Sequence, residues 1–445
     1  MDNRIFINIA SYRDPELWQT LDSLMTEAAE PSRLHIAICW QDDNDSNRLV
    51  SQGWKPVESS SITEYQVYRL EGCEALVELI MMPYQQAQGA GFARALCDKL
   101  FRQEQWFLQI DAHSLFAHHW DNYLIETLTK LYQKSEKPVM SSYPPSYHYT
   151  AQGQIVFAQQ ASRVTFNGFN AEGLPTLANR ASTSVHLERG SYLVAGFIFT
   201  QGTFVTEVGN DPTIFFEGEE ITLSLRAFSW GYDIYHPTLP ALWHHYTRDD
   251  VPRIWHDHSL AAQEAGDVPL VWIQREFLSR EHVKALLGLP HSLEPPREGK
   301  RLGSLRTRQQ FEYQCGLHFQ LASCYVDCLA PHFCSIYPLP LDDVAWNHAH
   351  RIYHHKQVDV SELFGTALPD KLFVHLYGLN TPRLMQSIYT PSQIMAQASR
   401  VVIECWSTPN RPPTLIRFGC WWEALGWGII IEWPWSEQDG PYCLL

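Results

Sequence analysis

Residues 106–113 read Trp-Phe-Leu-Gln-Ile-Asp-Ala-His, a mostly apolar run that ends in an acid and a histidine. The run is typical of a buried strand in a parallel sheet, and Asp111 and His113 follow where that strand ends. Side chains two positions apart in an extended chain point the same way, so both face one point beyond the strand. An acid and an imidazole together suit a divalent ion, and Mn²⁺ tolerates the nitrogen ligand better than Mg²⁺. A capping Asp beside a packed His is the alternative interpretation.

Three further apolar runs precede this one, and helical patterns lie between them. The strands are predicted at 4–10, 34–40, 75–82 and 106–110, with helices at about 15–27 and 89–103. This alternation predicts a mainly parallel α/β sheet that is covered on both faces. Ligands of such sheets bind beyond the carboxyl ends of the strands, where polar residues lie at 11–14, 41–43 and 111–113.

The sequence after about residue 318 has a different composition. β-Branched and aromatic residues dominate its apolar runs, and six of the 16 tryptophans lie between Trp406 and Trp435. Pro, Asn and Gly separate these runs, as is typical of short strands. We therefore predict an α/β domain at 1–318 and a smaller β-rich accessory domain at 319–445.

Charge and length exclude several classes of protein. The 445 residues include 33 Lys and Arg against 49 Asp and Glu, a formal charge of −16. Nucleic acid and anionic membrane surfaces both favour basic patches, so neither is expected as the main partner. No run is apolar enough for a membrane span and none resembles a signal peptide, which predicts a cytoplasmic protein with reduced cysteines. The spacing of Cys324, Cys328 and Cys334 fits no usual zinc pattern.

Five ordered segments carry a resemblance to a known family. They are 10–16 (ASYRDPE), 90–94 (AGFAR), 109–116 (QIDAHSLF) with Trp120-Asp121 after it, 216–220 (FEGEE) and 244–248 (HHYTR). Together they resemble the hydroxyproline GlcNAc-transferases, retaining enzymes of glycosyltransferase family 60. The resemblance covers about residues 3–318 and implies a GT-A fold, the Rossmann-like mixed sheet of nucleotide-diphospho-sugar transferases. The small polar residue that this family usually has between two metal ligands is Ala112 here.

The resemblance also implies a third metal ligand from a loop late in the domain. His244 and His245 both fit, and because they alternate faces only one is expected to reach the metal. The spacing to Tyr246 favours His244. A structural histidine pair is the alternative, since the chain holds 20 histidines and several other pairs. The implied ligand set for Mn²⁺ or Mg²⁺ is therefore Asp111, His113 and His244.

A uridine pocket at the end of the first strand is implied as well. Its lining would be Ser11, Tyr12, Arg13 and Asp14, with Tyr12 stacked on the base. A surface salt bridge fits Arg13 equally well. Arg94, early in the helix after the third strand, is expected at the diphosphate or at Asp111, and an ion pair on the helix face is its alternative.

Glu219 and Glu220 open a predicted helix. Acidic residues in a first helical turn are favoured by the helix dipole alone, so this position has a purely structural explanation. The resemblance adds a catalytic role, in which one of the two accepts hydrogen bonds from sugar hydroxyls or directs the acceptor hydroxyl. With Asp111 they form the predicted catalytic set.

The resulting hypothesis is a metal-dependent retaining glycosyltransferase. It moves a sugar, GlcNAc in the resembled family, from a UDP-sugar donor to a hydroxyl of a protein hydroxyproline or a glycan. One alternative is a metal-dependent hydrolase, although Gly209-Asn210-Asp211 lacks the histidine that follows in metallophosphatases. The other is a glycan-binding protein that uses the Trp-rich C-terminal domain, although tryptophans more often fill cores.

Overall fold

The chain folds into two compact units. The computed structural model describes residues 3–43, 45–248, 250–330, 332–335, 350–364, 368–378, 383–397, 399–408 and 412–435. The first unit comprises residues 1–165 and 178–315, and the second comprises residues 166–177 and 316–445. Residues 166–177 are therefore an excursion from the first stretch of chain into the second unit.

Strands and helices alternate along the first part of the chain. The strands are β1 (Ile5–Tyr12), β2 (Leu34–Asp42), β3 (Lys55–Ile62), β4 (Tyr65–Glu71), β5 (Leu76–Pro83), β6 (Trp106–Asp111), β7 (Ser114–Phe116), β8 (Pro138–Ser141), β9 (Tyr147–Tyr149), β10 (Ile155–Phe157), β11 (Ser162–Phe169), β12 (Pro175–Ala181), β13 (Glu188–Arg189), β14 (Phe197–Gln201), β15 (Asp233–His236) and β16 (Leu242–His244). The helices are α1 (Leu17–Thr26), α2 (Asn47–Ser51), α3 (Ala90–Asp98), α4 (Trp120–Leu131), α5 (Phe204–Glu207), α6 (Glu219–Ser229), α7 (Ile254–Asp257), α8 (Leu260–Glu264), α9 (Trp272–Leu287) and α10 (Arg308–Cys315).

The main sheet has ten strands in the order β13-β15-β8-β14-β6-β1-β2-β5-β4-β3. Its centre, β6-β1-β2-β5, is parallel, as the alternation predicts. The expectation of a mainly parallel sheet is wrong for the flanks, because β14 runs antiparallel to both neighbours and β3 and β4 add an antiparallel edge. The hairpin at 55–71 was not predicted, since its exposed edge strand is polar and lacks an apolar run.

Side chains of the central strands fill two cores, one on each face of the sheet. On β1, Ile5, Ile7 and Ile9 pack against α1 and α4, whereas Phe6 packs on the opposite face. Burial on both faces explains why the parallel strands read as continuous apolar runs. Asn8 lies within that run and is buried, and its amide donates to the carbonyl of Arg94. Among the described residues no helix is long and apolar enough to cross a membrane.

The second unit is built from antiparallel strands. They are β17 (Leu317–His318), β18 (Ser323–Tyr325), β19 (His350–Asp359), β20 (Lys371–Gly378), β21 (Arg383–Tyr389), β22 (Arg400–Ser407), β23 (Pro413–Trp422) and β24 (Gly426–Pro434), with the helix α11 (Pro391–Ala396). Two four-stranded sheets result, β17-β18-β19-β22 and β21-β20-β23-β24. Alternate side chains such as Val374, Leu376, Ile403 and Phe418 form their shared core.

Candidate metal and donor site

The ends of β6 and β16 bring three predicted side chains together. Asp111 is the last residue of β6, His113 lies two positions further, and His244 is the last residue of β16. Their ligand atoms all lie within 4.8 Å of one another, and no other group of three His, Cys, Asp or Glu converges in this way among the described residues. His244 Nε2 is 2.9 Å from His113 Nε2 and 3.2 Å from Asp111 Oδ2. We call these three residues the metal cluster.

Local pairing decides which of the two adjacent histidines joins the metal cluster. β16 pairs antiparallel with β7, so that His244 lies opposite Ser114. The next residue alternates to the other side, where His245 Nδ1 is 2.6 Å from Glu16 Oε1 and the ring stacks on Tyr147. The favoured residue, His244, therefore lies in the metal cluster, and His245 does not.

Asp14 sets the orientation of His113. His113 Nδ1 lies 2.8 Å from Asp14 Oδ2, so Nδ1 carries the proton and Nε2 directs a lone pair at the metal cluster. Arg248 Nη1 also donates to Asp14 Oδ2, at 2.5 Å. Asp14 was predicted in the uridine pocket, and this orienting contact was not predicted because it joins residues 99 positions apart.

Burial and charge fix the protonation states needed for a metal ligand. Burial lowers the pKa of His113, and nearby His244 lowers it further, although the hydrogen bond to Asp14 opposes this. Burial alone would raise the pKa of Asp111, but His244 and Arg94 outweigh it and hold the pKa below its usual range. A neutral imidazole and an ionised carboxylate are the forms that bind a metal ion.

The donor chemistry of these residues fits a divalent ion. Two imidazole nitrogens and a carboxylate oxygen suit Mn²⁺ and similar ions. Without a cation, the single proton of a neutral His244 cannot satisfy both His113 Nε2 and Asp111 Oδ2, whereas one cation satisfies all three groups. The other nitrogen of His244, Nδ1, is buried without a hydrogen-bond partner. The metal cluster therefore leaves hydrogen-bonding groups unsatisfied within the protein, whereas the same three groups together form a ligand set for a divalent ion.

Arg94 joins the metal cluster to the start of α6. Its guanidinium donates to Asp111 Oδ1 at 2.6 Å and to Glu219 Oε1 at 2.5 Å. The side chain is buried, because it is only 4% exposed. Of the two predicted partners of Arg94, Asp111 is the one it contacts. Two carboxylates share the charge of Arg94, which fixes Asp111 and Glu219 relative to each other.

Glu220, next to Glu219, has a different environment. Its Oε2 accepts a hydrogen bond from the Tyr143 hydroxyl at 2.6 Å. The pKa of Glu220 is raised to about 7, first by burial and then by the charges of Glu219 and Asp111, against the hydrogen bond from Tyr143. Glu220 therefore titrates near neutral pH. Its partner Tyr143 was not singled out in the sequence.

A cavity opens beside the metal cluster at the carboxyl ends of β1 and β2. Its lining includes the predicted residues Tyr12, Asp14, Arg94, Asp111 and His113. Another part of the wall was not predicted and consists of Arg248 and residues 251–255. The cavity therefore connects the metal cluster to a space at the strand ends where a ligand can bind.

Two residues predicted for the uridine pocket lie elsewhere. Ser11 is fully buried, and neither Ser11 nor Arg13 is among the residues that line the cavity. Arg13 forms the ion pair that was its alternative, because Nη1 is 2.9 Å from Asp257 Oδ1. Asp257 also accepts a hydrogen bond from the Tyr12 hydroxyl at 2.8 Å. Asp257 was missed, since it meets these residues from more than 240 positions away.

The profile of a protein family described as "Glycosyltransferase (GlcNAc)" matches residues 4–313. The chain belongs to this family. The match covers more than half of the chain and includes every residue of the metal cluster. The predicted fold class is confirmed as an α/β domain with a large mixed sheet and a smaller β-rich region. The predicted membership of a glycosyltransferase family is confirmed.

Solved glycosyltransferase structures resemble the chain more distantly. GalNAc-T7 with UDP, GalNAc and Mn²⁺ is 14% identical over 63% of this chain, with a TM-score of 0.41. This chain spans 50% of the length of that structure. S. aureus TarS 1–349 is 10% identical over 62% of this chain and 69% of its own, with a TM-score of 0.32. No curated protein matches the chain.

Proposed function

We propose that this member of the GlcNAc glycosyltransferase family is metal-dependent and transfers GlcNAc from UDP-GlcNAc to a hydroxyl group with retention of configuration. The observation that carries the proposal is the convergence of Asp111, His113 and His244 beside a cavity at the strand ends. Membership of the family supports sugar transfer. The choice of GlcNAc and the retaining course rest on the resemblance to the hydroxyproline GlcNAc-transferases.

In this proposal the metal cluster binds Mn²⁺ or Mg²⁺, and its two nitrogen ligands favour Mn²⁺. Held by these three residues, such an ion would supply Lewis-acid stabilisation of the charge on the departing diphosphate. Asp14 keeps His113 in the tautomer with a free Nε2 lone pair, and Arg94 holds Asp111 through its other oxygen. These contacts preorganise the ligand set before any substrate arrives.

The cavity takes the UDP part of the donor. Tyr12 and Gln41, at the ends of β1 and β2, face the part of the cavity that we assign to uridine. Arg248 and Arg253 line the same cavity and supply positive charge for the diphosphate. This matters in a chain with a formal charge of −16, because its overall field opposes binding of a polyanion.

The transfer step exchanges one bond for another at the anomeric carbon. The bond between C1 and the diphosphate oxygen breaks, and the acceptor oxygen bonds to C1 from the same face. The acceptor proton passes to the departing phosphate oxygen, so the step yields UDP and a glycoside without a protein nucleophile. We assign to Glu219, fixed by Arg94, and to Glu220, bonded to Tyr143, the hydrogen bonds to sugar or acceptor hydroxyls.

The acceptor is a hydroxyl of a protein hydroxyproline or of a glycan. Donor hydrolysis tests the proposal before the acceptor is known, because a transferase of this type releases UDP slowly to water. Purified protein is incubated with UDP-GlcNAc, UDP-GalNAc, UDP-glucose and UDP-galactose, and UDP release is measured with chelator and after addition of Mn²⁺. We expect release that requires Mn²⁺ and is fastest with UDP-GlcNAc.

Asp111→Ala is the decisive variant, because it removes a proposed metal ligand and the partner of Arg94. Asp43→Ala is the matched control, since Asp43 is a carboxylate just beyond the end of β2 whose side chain is 56% exposed. We expect Asp111→Ala to abolish Mn²⁺-dependent release and Asp43→Ala to retain it. Normal turnover by Asp111→Ala, or equal release with and without metal, would contradict the proposal.

A further inference from the structure

One sheet of the second unit, β21-β20-β23-β24, exposes aromatic side chains on its outer face. Along β20 the side chains alternate, and Leu372, Val374 and Leu376 are fully buried in the core. Phe373, His375 and Tyr377 therefore point to the outer face. An antiparallel sheet normally presents polar residues to water on such a face, so exposed aromatic rings there indicate a binding surface.

The strand register arranges this face in rows across the sheet. The apolar row is Ile388, Phe373, Gly419 and Ile430. The polar row beside it is Gln386, His375, Arg417 and Glu432. On the other side of the apolar row lie Lys371, Trp421 and Trp427. We call these three rows together the aromatic face.

Gly419, at the centre of the apolar row, makes room for the ring of Trp427. A Cβ atom at Gly419 would lie 3.1 Å from Trp427 Cζ3 and 3.9 Å from the Cβ of Phe373. The rings of Trp427 and Phe373 are in contact, with centroids 4.8 Å apart and an angle of 49° between their planes. Trp427 nevertheless remains 57% exposed. The two rings are thus fixed against the sheet while ring surface stays open to a ligand.

The two charged groups of the polar row form an ion pair. Arg417 Nε donates to Glu432 Oε1 at 2.7 Å, and the guanidinium of Arg417 lies 4.9 Å from the centre of the Tyr377 ring. Lys371 Nζ lies 5.2 Å from the centre of the Trp421 ring. The polar row therefore offers donors and acceptors side by side, in planar groups, rather than a field of one sign.

This pattern matches the chemistry of a sugar ring. A pyranose has an apolar face of C–H groups and a rim of hydroxyls that both donate and accept hydrogen bonds. Phe373 of the apolar row and Trp427 would contact the C–H face, and the polar row would contact the hydroxyls. The apolar and polar rows are adjacent, as are the two parts of a pyranose. A single-stranded nucleic acid also stacks on aromatic rings, but it requires a row of cations for its phosphates, and Arg417 beside the rings is already paired with Glu432. A protein partner favours a wide apolar centre, whereas here the polar row lies directly beside the apolar row.

We propose that the aromatic face is a binding site for an uncharged glycan chain, with pyranose rings stacked on Phe373 and Trp427 and hydroxyls bonded to Arg417 and Glu432. This site lies in the second unit and does not depend on the donor site of the first unit. It assigns a role to the residues after 318. Binding is measured separately from UDP release, so failure of one proposal is distinguishable from failure of the other.

The test uses the full chain and a panel of soluble uncharged oligosaccharides from β-glucan, xylan and chitin. Polygalacturonate and single-stranded DNA serve as charged comparators. Binding is followed by calorimetry and by tryptophan fluorescence, because Trp427 is exposed at the proposed contact. We expect at least one uncharged oligosaccharide to bind and the charged comparators not to compete. Absence of binding by every uncharged probe, or binding of charged probes alone, would overturn the proposal.

Trp427→Ala removes the exposed ring and should weaken binding about tenfold, the loss of one well-placed contact. Leu425→Ala is the matched control, because Leu425 lies in the adjoining turn, is 83% exposed and belongs to none of the rows. Gly419→Val retains every ring but displaces that of Trp427, and should also weaken binding. UDP release should be unchanged in all three variants. Equal binding by Trp427→Ala and Leu425→Ala would show that the aromatic face is not the site.

Discussion

The parallel strands of the main sheet have a buried histidine among carboxylates near their amino ends and another near their carboxyl ends. The two arrangements differ in their hydrogen bonds. Near the start of β2, His35 Nδ1 lies 2.6 Å from Glu104 Oε1 and His35 Nε2 lies 2.8 Å from Glu78 Oε2. Arg102 completes this group through a contact of 2.6 Å with Glu78. We call these four residues the His35 cluster. Each nitrogen of His35 has a carboxylate partner, so the network is complete within the protein.

The carboxyl ends of the parallel strands have the same residue types, but there the hydrogen-bond network is not complete within the protein. His113 meets a carboxylate through one nitrogen, Asp14 at Nδ1, while its Nε2 faces His244 Nε2 at 2.9 Å. Three carboxylates there, Asp14, Asp111 and Glu219, contact only two arginines, Arg94 and Arg248. The excess of negative charge and of lone pairs is what a divalent ion compensates.

The pKa values of the two histidines follow from this difference. Burial lowers the pKa of both, but at His35 the hydrogen bonds that the ring donates to Glu104 and Glu78 prevail and raise its pKa. At His113 burial prevails with the help of His244, and the pKa is lowered. The two acids beside His35 therefore favour its cationic form, whereas burial and the neighbouring His244 favour the neutral form of His113. The hydrogen-bond partners of the histidine, rather than the residue types present, thus distinguish the structural ion cluster from the proposed metal site.

The largest effect is expected for His244→Ala, which removes one ligand of the metal cluster. Mn²⁺-dependent UDP release should fall roughly a thousandfold, because stabilisation of the leaving diphosphate is lost. Metal-free stability is measured in parallel, because His244 is buried and its Nε2 lies 3.2 Å from Asp111 Oδ2. His245→Ala is the control, being the adjacent histidine bonded to Glu16. The two variants are compared by UDP release and Mn²⁺ calorimetry, and equal activities would remove the distinction between the two histidines.

The converse effect is expected for His35→Leu. Two buried carboxylates lose their shared cation, so the free energy of unfolding should fall by about 3–5 kcal/mol, measured from denaturant midpoints. UDP release per folded molecule should be unchanged. The triple variant His35→Leu/Glu78→Gln/Glu104→Gln should recover part of the stability, because it leaves no ionised carboxylate buried, and Arg102, which loses Glu78, is 49% exposed. A loss below about 1 kcal/mol for His35→Leu would mean that the His35 cluster is not the fixed ion network described here.

The metal cluster was the part of the site that sequence could predict. Asp111 and His113 follow an apolar strand at a spacing of two, and strand geometry is local enough to place both side chains on one side. His244 was favoured over its neighbour by spacing alone. The roles of Asp14 and Asp257 could not be foreseen, because each depends on contacts between strand ends and a loop far away in sequence. Arg13 and Arg94 illustrate the same limit, since composition cannot tell a ligand-binding guanidinium from one paired with acids.

The fold was predictable to a similar depth. Buried strands such as β1, β2 and β6 were visible as apolar runs, because both of their faces pack against helices. The polar edge strand β3 and the excursion at 166–177 were not visible, since neither depends on a local pattern of burial. Exposed rings on the aromatic face were read only as tryptophan-rich sequence. Their rows depend on cross-strand register, which sequence alone does not give.

A smaller effect is expected for Asp14→Asn, which keeps the shape of the orienting residue and removes its charge. The affinity for Mn²⁺ should fall about 10- to 100-fold, as is typical of a residue that positions a ligand. Excess Mn²⁺ should restore most UDP release in Asp14→Asn and none in Asp111→Asn. Stability is measured in parallel, because Arg248 also loses its partner. Failure of excess metal to rescue Asp14→Asn would mean that Asp14 contacts substrate or metal directly.

The smallest effect is the pH dependence of stability that the His35 cluster contributes. The pKa of His35 is raised above its ordinary 6.5, so above pH 6.5 the unfolded chain loses a proton that the folded chain keeps. Stability from this proton is complete below 6.5 and is lost as pH rises through the folded-state pKa, with a slope of at most about 1.4 kcal/mol per pH unit.

The pKa values of Glu78 and Glu104 are lowered from 4.5, because their hydrogen bonds to His35 outweigh burial. Their contribution is complete above 4.5 and is lost as pH falls through the folded-state values. Denaturant midpoints measured from pH 4 to 9 should therefore be highest between pH 4.5 and 6.5 for the wild type. In His35→Leu the fall in midpoint above pH 6.5 that is due to His35 should disappear, and any fall due to other titrating groups should remain. An unchanged alkaline slope in His35→Leu would assign that slope to other titrating groups and leave His35 neutral, as His113 is.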